Sequence, residues 1–370
     1  FKEEGKDLGE IQERLGSSKT RSSFPLLSSR VSCRTDVIKE MKTTANVVAL
    51  LEGSDPKLKS EIIVIGAHYD HLGLGRENSV SPSEIGKVHN GADDNASGVA
   101  GLLELAQALS PVKDQLRRSL LFISFSAEEE GLLGSSYYIK NPIFPLDKTI
   151  AMINLDMVGR LTGNSLIVYG TGTSPVWQPM LERLNANANF ALKLMEDGVG
   201  PSDQTSFYVK DIPVLHFFTG AHEDHHKPSD DYEKINAEGE RRILEFIRQL
   251  LKELDEEQDR PLFTKTKGGQ EPGTQIGWRV YVGTIPDFAA QAEGLKLAGV
   301  REGSPAQRAG LQAGDVIVRV GNRDVRNIYD YTSALQNLTP GEEAEFQHEG
   351  NRACRYPRRF PRHFALQGRP

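Results

Sequence analysis

Four short apolar runs constrain the fold of this 370-residue chain more than any other feature. They are Ile62–Ile65, Leu120–Phe125, Ile150–Leu155 and Val214–Phe218. Each has the length of a buried strand, far below the roughly 18 to 20 residues of a transmembrane helix. Two helical patterns accompany these runs. One apolar stripe extends from Val99 to Leu109, between the first two runs, and a last helix from Ala237 to Glu256 follows the fourth. This alternation predicts an α/β fold with a mixed, largely parallel central sheet flanked by helices, and no transmembrane segment.

Shifts in composition divide the chain further. We expect a peripheral segment at residues 1–46, the α/β domain at 47–256, a charged linker at 257–273, a small β-rich domain at 274–347 and a basic irregular tail at 348–370. The linker is rich in Pro and Gly and has little periodicity. The tail carries six Arg and one Glu, without a strand or helix pattern.

Charge and cysteine content exclude two kinds of function. A net charge of −7 gives no reason to expect nucleic acid as a partner. The two cysteines, Cys33 and Cys354, are far apart and indicate neither a disulfide framework nor a thiolate metal site. A metal site in this chain would therefore use imidazole and carboxylate ligands.

Imidazoles and carboxylates follow the end of every one of the four predicted strands. The segments are GAHYDH (66–71), SAEEEG (126–131), NLDM (154–157) and HEDHHKPSD (222–230), with GADDNASG (91–98) before the first helix. The carboxyl ends of parallel strands lie at one edge of an open sheet, and ligands bind there. We therefore expect these side chains to meet at a common rim.

Such a rim is suited to Zn²⁺, with Mn²⁺ or Co²⁺ as substitutes. It offers more ligands than one catalytic zinc needs, and two metals about 3.5–4 Å apart, bridged by a carboxylate and a water, would use them. The tandem Glu128 and Glu129 can supply one metal ligand and one proton acceptor, because neighbouring residues beyond a strand end point in different directions. The residues alone do not decide which Glu has which role.

Taken together and in this order, GAHYDH, GADDNASG, SAEEEGLLGS, NLDM and HHKPSDD resemble the di-zinc exopeptidases of peptidase family M28. That family includes leucyl aminopeptidases, glutamate carboxypeptidase II and the single-zinc glutaminyl cyclases. The resemblance covers residues 47–256 and implies a zinc-exopeptidase fold. One departure is Gln204, where family members often have His after Ser-Asp.

The resemblance also implies roles for individual residues. One zinc is held by His68 and Asp156, the other by Glu129 and His226, with Asp94 bridging, so the cofactor is two Zn²⁺ per chain. Glu128 corresponds to the general base and acid, and Asp70 to the carboxylate that orients a ligand imidazole. All five ligand positions are occupied, which favours the two-metal peptidases over the cyclases.

The other histidines have simpler interpretations. We expect His71, His222 and His225 to line the pocket or face solvent rather than bind metal. His216, inside an apolar strand, is predicted to be a core histidine.

The small C-terminal domain resembles a PDZ domain of the bacterial protease type, through YVGTIPDF (281–288) and GSPAQRAGLQAGDVIVRVGNRDV (303–325). In such domains one loop binds the C-terminal carboxylate of a peptide, which adds as a strand. The corresponding residues here are Tyr281, Val282, Gly283, Thr284 and Ile285. The pattern also expects a Val-rich last strand after Glu345, where this chain continues with HEGNRACRYPRRFPRHF, so we expect an altered last strand.

The resulting prediction is a zinc-dependent exopeptidase that releases N-terminal amino acids. Its partners are peptides with a free N-terminus, with C-terminal peptide tails as ligands of the PDZ-like domain. The resemblance implies a secreted or periplasmic protein, although no signal peptide is present in this chain. Three alternatives stay open: a carboxypeptidase, a glutaminyl-cyclase-like enzyme, and a PDZ scaffold with an inactive peptidase domain.

Overall fold

The structure is a computed structural model. It describes residues 42–75, 79, 81–266, 280–287, 293–300, 303–326, 330–331, 334–335, 338, 343–349, 360–365 and 367–368. Both cysteines, most of the predicted peripheral segment and residues 267–273 of the predicted linker lie outside these residues. The chain divides into two units, Phe1–Thr43 and Thr44–Pro370, and all the elements named below belong to the second.

The α/β part contains seven strands and five helices. The strands are β1 (Val47–Leu51), β2 (Ile62–His68), β3 (Ser119–Phe125), β4 (Thr149–Leu155), β5 (Ser165–Tyr169), β6 (Ala191–Met195) and β7 (Val214–Phe218). The helices are α1 (Gly98–Leu109), α2 (Leu133–Lys140), α3 (Trp177–Ala188), α4 (Gln204–Tyr208) and α5 (Ala237–Glu256). Short helical turns lie at Pro82–Glu84, Ser110–Gln115, Leu146–Lys148, Thr171–Thr173 and Tyr232–Lys234. The four strands and two helices expected from periodicity are confirmed.

The seven strands form one mixed sheet in the order β1-β3-β2-β4-β7-β5-β6. Its centre, β3-β2-β4-β7, is parallel, whereas β1 is antiparallel to β3 and β5 is antiparallel to β7. The expected fold class, a mixed and largely parallel sheet flanked by helices with a separate small β-rich domain, is confirmed.

Both faces of this sheet are buried. Ile63 and Ile65 of β2 face a core that includes α1, α3 and α5, while Ile62 and Val64 face a second core with α2 and α4. Successive strand residues point to opposite faces, so a strand covered on both sides must be apolar throughout. This is why β2 is apolar along most of its length.

Helix α5 begins at Ala237, because the side chain of Asn236 accepts a hydrogen bond from the backbone N–H of Gly239 (2.9 Å).

Strand register brings the functional loops to one edge of the sheet. His68, the last residue of β2, lies beside Phe125, the last residue of β3. In the same way Gly66 pairs with Asn154, and Leu155 with Phe217. The segments that follow β2, β3, β4 and β7 therefore start at similar heights along the same edge.

The small domain is built from antiparallel strands. They are β8 (Val280–Tyr281), β9 (Thr284–Pro286), β10 (Leu295–Val300), β11 (Val316–Val320), β12 (Arg323–Asp324), β13 (Glu343–Glu349), β14 (Phe360–Ala365) and β15 (Gln367–Gly368), with a short helix α6 (Pro305–Arg308). The main sheet has the order β14-β13-β11-β10-β9, with β12 beside β11, and β15 pairs with β8. Its core includes Leu311, Ile317, Tyr331 and Phe346.

The expectation of an irregular tail is wrong for the described residues beyond position 347. Residues 348–349 complete β13, β14 pairs with β13 from His348↔Phe360 to Glu343↔Ala365, and β15 pairs with β8. The stretch FPRHFA has no regular alternation of apolar and polar residues, so its pattern carried no strand signal. Its strand conformation comes from hydrogen bonding to the edge that β13 offers, which is a tertiary effect.

None of the helices in the described part of the chain is long and apolar enough to span a membrane.

Candidate metal centre and active site

The buried carboxylate of Asp94 lies between two imidazoles. Its Oδ1 is 3.4 Å from Nε2 of His68, and its Oδ2 is 3.3 Å from Nε2 of His226. His68 ends β2, while His226 lies in the loop after β7, where its φ of +56° turns the chain. One carboxylate thus faces two imidazole nitrogens with a different oxygen each, an arrangement suited to a bridging metal ligand.

Two further carboxylates complete these two groups. Oδ1 of Asp156, at the end of β4, is 3.4 Å from Nε2 of His68. Oε2 of Glu129 is 3.2 Å from Nε2 of His226. The structure therefore brings together all five side chains that the resemblance names as metal ligands.

The distances between these atoms suit a divalent metal. Two ligands of one tetrahedral zinc, with bonds of about 2.0–2.2 Å, lie about 3.3 Å apart. The four separations given above fall between 3.2 and 3.4 Å. In addition, Oδ1 of Asp156 is buried and has no hydrogen-bond partner within the described part of the chain, which leaves a lone pair for a cation. The donor set of imidazole and carboxylate fits zinc.

Burial and neighbouring charges act in opposite directions on the pKa values of these groups. Burial alone lowers the pKa of His68, but the carboxylates of Glu128 and Asp156 outweigh it and raise that pKa well above its usual value. Burial also opposes ionisation of His226, yet Asp94 and Glu129 raise its pKa to about 10. Burial raises the pKa of Asp94, but the two imidazoles hold it well below its usual range. Protons compete with a metal for imidazole and carboxylate ligands, so metal binding at such a site is pH-dependent.

Glu128 differs from Glu129 in its surroundings. It lies within 4.8 Å of His68 and Asp156 and is almost completely buried. Burial, together with the charges of Asp203, Asp156 and Glu129, raises its pKa well above the usual value, despite the opposing effect of His68. A carboxyl with a raised pKa is suited to accept and return a proton.

Asp70 supports both glutamates through their backbone. Its carboxylate accepts hydrogen bonds from the N–H groups of Glu128 (3.0 Å) and Glu129 (3.2 Å). Its carbonyl oxygen accepts a hydrogen bond from Nδ1 of His68 (3.1 Å), while its carboxylate is 3.8 Å from the same nitrogen. Asp70 therefore fixes the loop after β3 against the loop after β2.

Asp230 braces the segment that carries Asp94. Its Oδ2 accepts hydrogen bonds from the N–H groups of Asp93 (2.9 Å) and Asp94 (3.1 Å), and its Oδ1 pairs with Arg160 (3.0 Å). The neighbouring Gly91 has φ +64°, and a Cβ there would lie 2.4 Å from the carbonyl oxygen of Asp94. The tight path of this segment therefore excludes a side chain at position 91.

Three histidines expected to line the pocket or face solvent lie close to carboxylates of the candidate site. Nδ1 of His71 is 2.8 Å from Glu129, Nε2 of His222 is 3.1 Å from the fully buried Asp93, and Nε2 of His225 is 3.4 Å from Asp94. No pattern in the sequence indicated these contacts. The available signal was their presence in the same motifs as His68 and His226.

His225 and His226 stack on each other, with ring centroids 3.9 Å apart and an interplanar angle of 25°. Two imidazoles bound to one tetrahedral ion point along directions roughly 109° apart, so their rings diverge. The stacked arrangement therefore suits only one of the two rings to a given ion, and His226, which is less exposed and also faces Glu129, fits that role better than His225.

The Ser202-Asp203-Gln204 segment contacts the end of strand β4. Nδ2 of Asn154 donates hydrogen bonds to Ser202 (2.8 Å) and Gln204 (3.2 Å). Asp203 is fully buried, and burial raises its pKa to about 7. The predicted core histidine, His216, is buried in β7, and burial lowers its pKa to about 4.

A cavity of about 310 Å³ adjoins the second group of ligands. It is lined by residues 70–74, Glu129 and Glu130. The described residues that line it include three carboxylates, those of Asp70, Glu129 and Glu130, and no Lys or Arg. It is therefore better suited to a cationic group than to an anionic one.

The predicted carboxylate-binding loop of the small domain lies between two short strands. Tyr281 ends β8, Val282 and Gly283 form the turn, and Thr284 and Ile285 begin β9. Gly283 has φ +82°, and β9 ends the strand order of its sheet. Oγ1 of Thr284 is 2.7 Å from the hydroxyl of Tyr331. Peptide binding at this position stays a prediction.

Comparisons with known proteins identify both parts of the chain. Residues 46–251, more than half of the chain, match the model of peptidase family M28, and residues 297–346 match that of a PDZ domain. A probable leucine aminopeptidase 2 of Trichophyton verrucosum is 30% identical over 212 residues, covering 53% of this chain and 38% of that protein. Leupeptin-inactivating enzyme 1 of Streptomyces exfoliatus is 30% identical over 200 residues, covering 54% and 39%.

A solved structure is also similar to part of this chain. The aminopeptidase from Aneurinibacillus sp. strain AM-1 is 28% identical, with a TM-score of 0.47, covering 60% of this chain and 50% of that one. The chain spans about two fifths of the length of the two relatives named above. The match of the family model over the domain that holds the candidate metal centre shows that the chain belongs to peptidase family M28, with a PDZ domain following its peptidase domain.

Proposed function

We propose that this chain is an aminopeptidase that works with two zinc ions. His68 and Asp156 would hold one ion, Glu129 and His226 the other, and Asp94 would bridge them. The observation that carries the proposal is the position of Asp94, whose two oxygens face two different imidazoles at 3.4 and 3.3 Å. A single-zinc enzyme has no need for this arrangement.

Glu128 is the proposed general base and acid. When bound, the zinc ions lower the pKa of a water and polarise the scissile carbonyl. Glu128 accepts the proton of the attacking water and returns it to the leaving amine, a task for which its burial and raised pKa are suited. Asp70 holds the backbone of Glu128 in place through the hydrogen bond to its N–H.

The charge of the cleft supports cleavage at the N-terminus. A carboxypeptidase has to bind the terminal carboxylate of its substrate, which calls for cationic groups. The described residues that line the cavity beside Glu129 include carboxylates and no Lys or Arg, which suits a free amine. The names of the relatives, leucine aminopeptidases among them, point to the same end of the peptide.

The proposal is tested with a panel of aminoacyl chromogenic substrates, assayed with and without chelator and then with zinc added back. We expect chelator-sensitive release of the chromophore that zinc restores. Hydrolysis of C-terminal glutamate substrates instead would support a carboxypeptidase. Cyclisation of N-terminal glutamine with one metal per chain would support a cyclase, and peptide-tail binding without hydrolysis would support a PDZ scaffold.

Two substitutions separate the proposed roles of the neighbouring glutamates. Glu128→Gln should keep two bound metals and lose roughly 100- to 10,000-fold in rate, because it removes the proton acceptor and no metal ligand. Glu129→Gln should lose metal, because it weakens a ligand of the second ion. Metal analysis and kcat measured on the same samples check both statements, and the reverse pattern would contradict the assignment.

The small domain adds a second proposed interaction. The turn at Val282 and Gly283 and the edge strand β9 would bind C-terminal peptide tails by strand addition. Fluorescence titration with peptides that carry a free or an amidated C-terminus tests this role.

Family resemblance also supports a secreted or periplasmic location, which fractionation of the native host tests.

A further inference from the structure

His71 has an unusual position beside the second group of ligands. Its Nδ1 is 2.8 Å from Oε1 of Glu129 and 3.9 Å from Oδ2 of Asp94. On the other side of Glu129, Oε2 is 3.2 Å from Nε2 of His226. The two oxygens of Glu129 therefore face two different histidines.

The two distances indicate different kinds of contact. Two ligands of one tetrahedral zinc lie about 3.3 Å apart, which matches the pair of Glu129 and His226. The 2.8 Å between His71 and Glu129 is shorter and is typical of a charge-assisted N–H···O hydrogen bond. His71 is thus a donor to Glu129, not a third nitrogen ligand beside it.

The surroundings of His71 hold its ring in this orientation. The side chain is 9% exposed, and its edge meets the ring of His226 with centroids 5.8 Å apart and planes at 75°. A Cβ on Gly91 would lie 2.6 Å from Cγ of His71, so the ring packs directly against the glycine backbone. Nε2 of His71 is buried and has no hydrogen-bond partner among the residues that the structure describes.

We propose that His71 is a positioning residue, which holds Oε1 of Glu129 so that Oε2 alone is presented to the second metal. The inference rests on the proposed function, because it takes Glu129 as a ligand of that metal. A carboxylate with one oxygen engaged by a fixed donor cannot rotate freely or bind through both oxygens. The arrangement therefore sets how Glu129 coordinates, and it acts on the second metal and not on the first.

The test compares two substitutions in the full chain. In His71→Asn, the side-chain N–H₂ can take the place of Nδ1–H, whereas His71→Leu fills similar space without a donor. Zinc content is measured after equilibration with graded concentrations of a chelator. We expect two zinc ions in the wild type, retention of the first ion in H71L, and a loss of roughly 10- to 100-fold in affinity for the second. H71N should recover most of that affinity.

A control and a folding measurement accompany the comparison. His89 is also buried, but its ring nitrogens are hydrogen-bonded to Ser79 and to the carbonyl oxygen of Lys87, neither of which belongs to the candidate metal centre, so H89L should keep both zinc ions. Unfolding midpoints of the metal-free proteins show whether each variant folds, and H71N is the variant to rely on if H71L does not.

Two results would overturn the inference. If H71L holds the second zinc as tightly as the wild type, His71 does not position Glu129. If H71N loses the second zinc as completely as H71L, the ring nitrogen itself coordinates the metal. A wild-type protein that binds only one zinc would instead overturn the proposed function, and this is seen before any variant is made.

Discussion

Replacement of Asp230 by Asn should weaken both the fold and the metal centre. Asp230 is fully buried, and it accepts two backbone hydrogen bonds from the segment that carries Asp94. It also pairs with Arg160, which lies 3.2 Å from the carboxylate of Asp224 as well. In D230N an amide nitrogen replaces one oxygen and the negative charge is lost, so either the pair with Arg160 or the bonds to the backbone must break.

The size of the effect follows from these contacts. Hydrogen bonds to a charged group are worth about 1.5–3 kcal/mol each, and D230N keeps an oxygen that can still accept some of them. Breaking a buried ion pair by changing one partner costs about 3–5 kcal/mol, and Asp224 offsets part of that cost. We therefore expect a loss of about 2–4 kcal/mol, a large fraction of the roughly 5–15 kcal/mol typical of a domain.

Denaturant unfolding of D230N and of the matched control Asp231→Asn measures this loss. Asp231 is the next residue, and its carboxylate accepts a hydrogen bond from Asn90 at an exposed position, so D231N should change stability by no more than about 0.5 kcal/mol. Zinc content should fall at both metal positions in D230N, because Asp94 contacts both imidazoles. Equal stability and equal zinc content in the two variants would refute the reasoning.

Two further predictions concern buried carboxyl groups. Burial, with repulsion from Asp93 and Glu104, raises the pKa of Glu240 from the usual 4.5 to about 7. The charge of Glu240 therefore lowers the stability of the fold as pH rises through that range. Thermal unfolding of Glu240→Gln should show a higher midpoint than the wild type at pH 8, and this gain should shrink towards pH 4.5. An unchanged unfolding midpoint of Glu240→Gln at pH 8 would contradict this prediction. Asp203 is among the charges that raise the pKa of Glu128, so Asp203→Asn should move the acidic limb of the kcat/KM profile to lower pH, and a move to higher pH would contradict this.

The elements with their own periodicity could be predicted from the sequence. The apolar runs from Ile62 and from Val214 indicated buried strands because a strand covered on both faces is apolar throughout. Strand β5 has an alternating burial pattern, and its antiparallel pairing with β7 depends on the path of the chain between them. Strand β14 depends even more on its context, since only the free edge of β13 makes it a strand.

In the candidate site, too, some features could be predicted from the sequence and others depend on the tertiary structure. The resemblance to peptidase family M28 named Asp94, Glu129 and His226 as expected ligands, whereas the residues alone indicated only a rim of imidazoles and carboxylates at one edge of the sheet. Local spacing did not indicate which nitrogen would meet which oxygen. The histidines at 71, 225 and 226 all lie in motifs with suitable chemistry, and their sequence positions do not distinguish a ligand from a hydrogen-bond donor.

The sequence by itself determined the α/β class, the resemblance to peptidase family M28 and the set of imidazoles and carboxylates available to a metal. Only the tertiary structure decided that the two oxygens of Asp94 face different imidazoles and that His71 donates to Glu129. The physical reason is distance along the chain. His71 and Glu129 are 58 positions apart, so their contact depends on the register of β2 with β3 and on the turns that follow both strands, which no local pattern encodes.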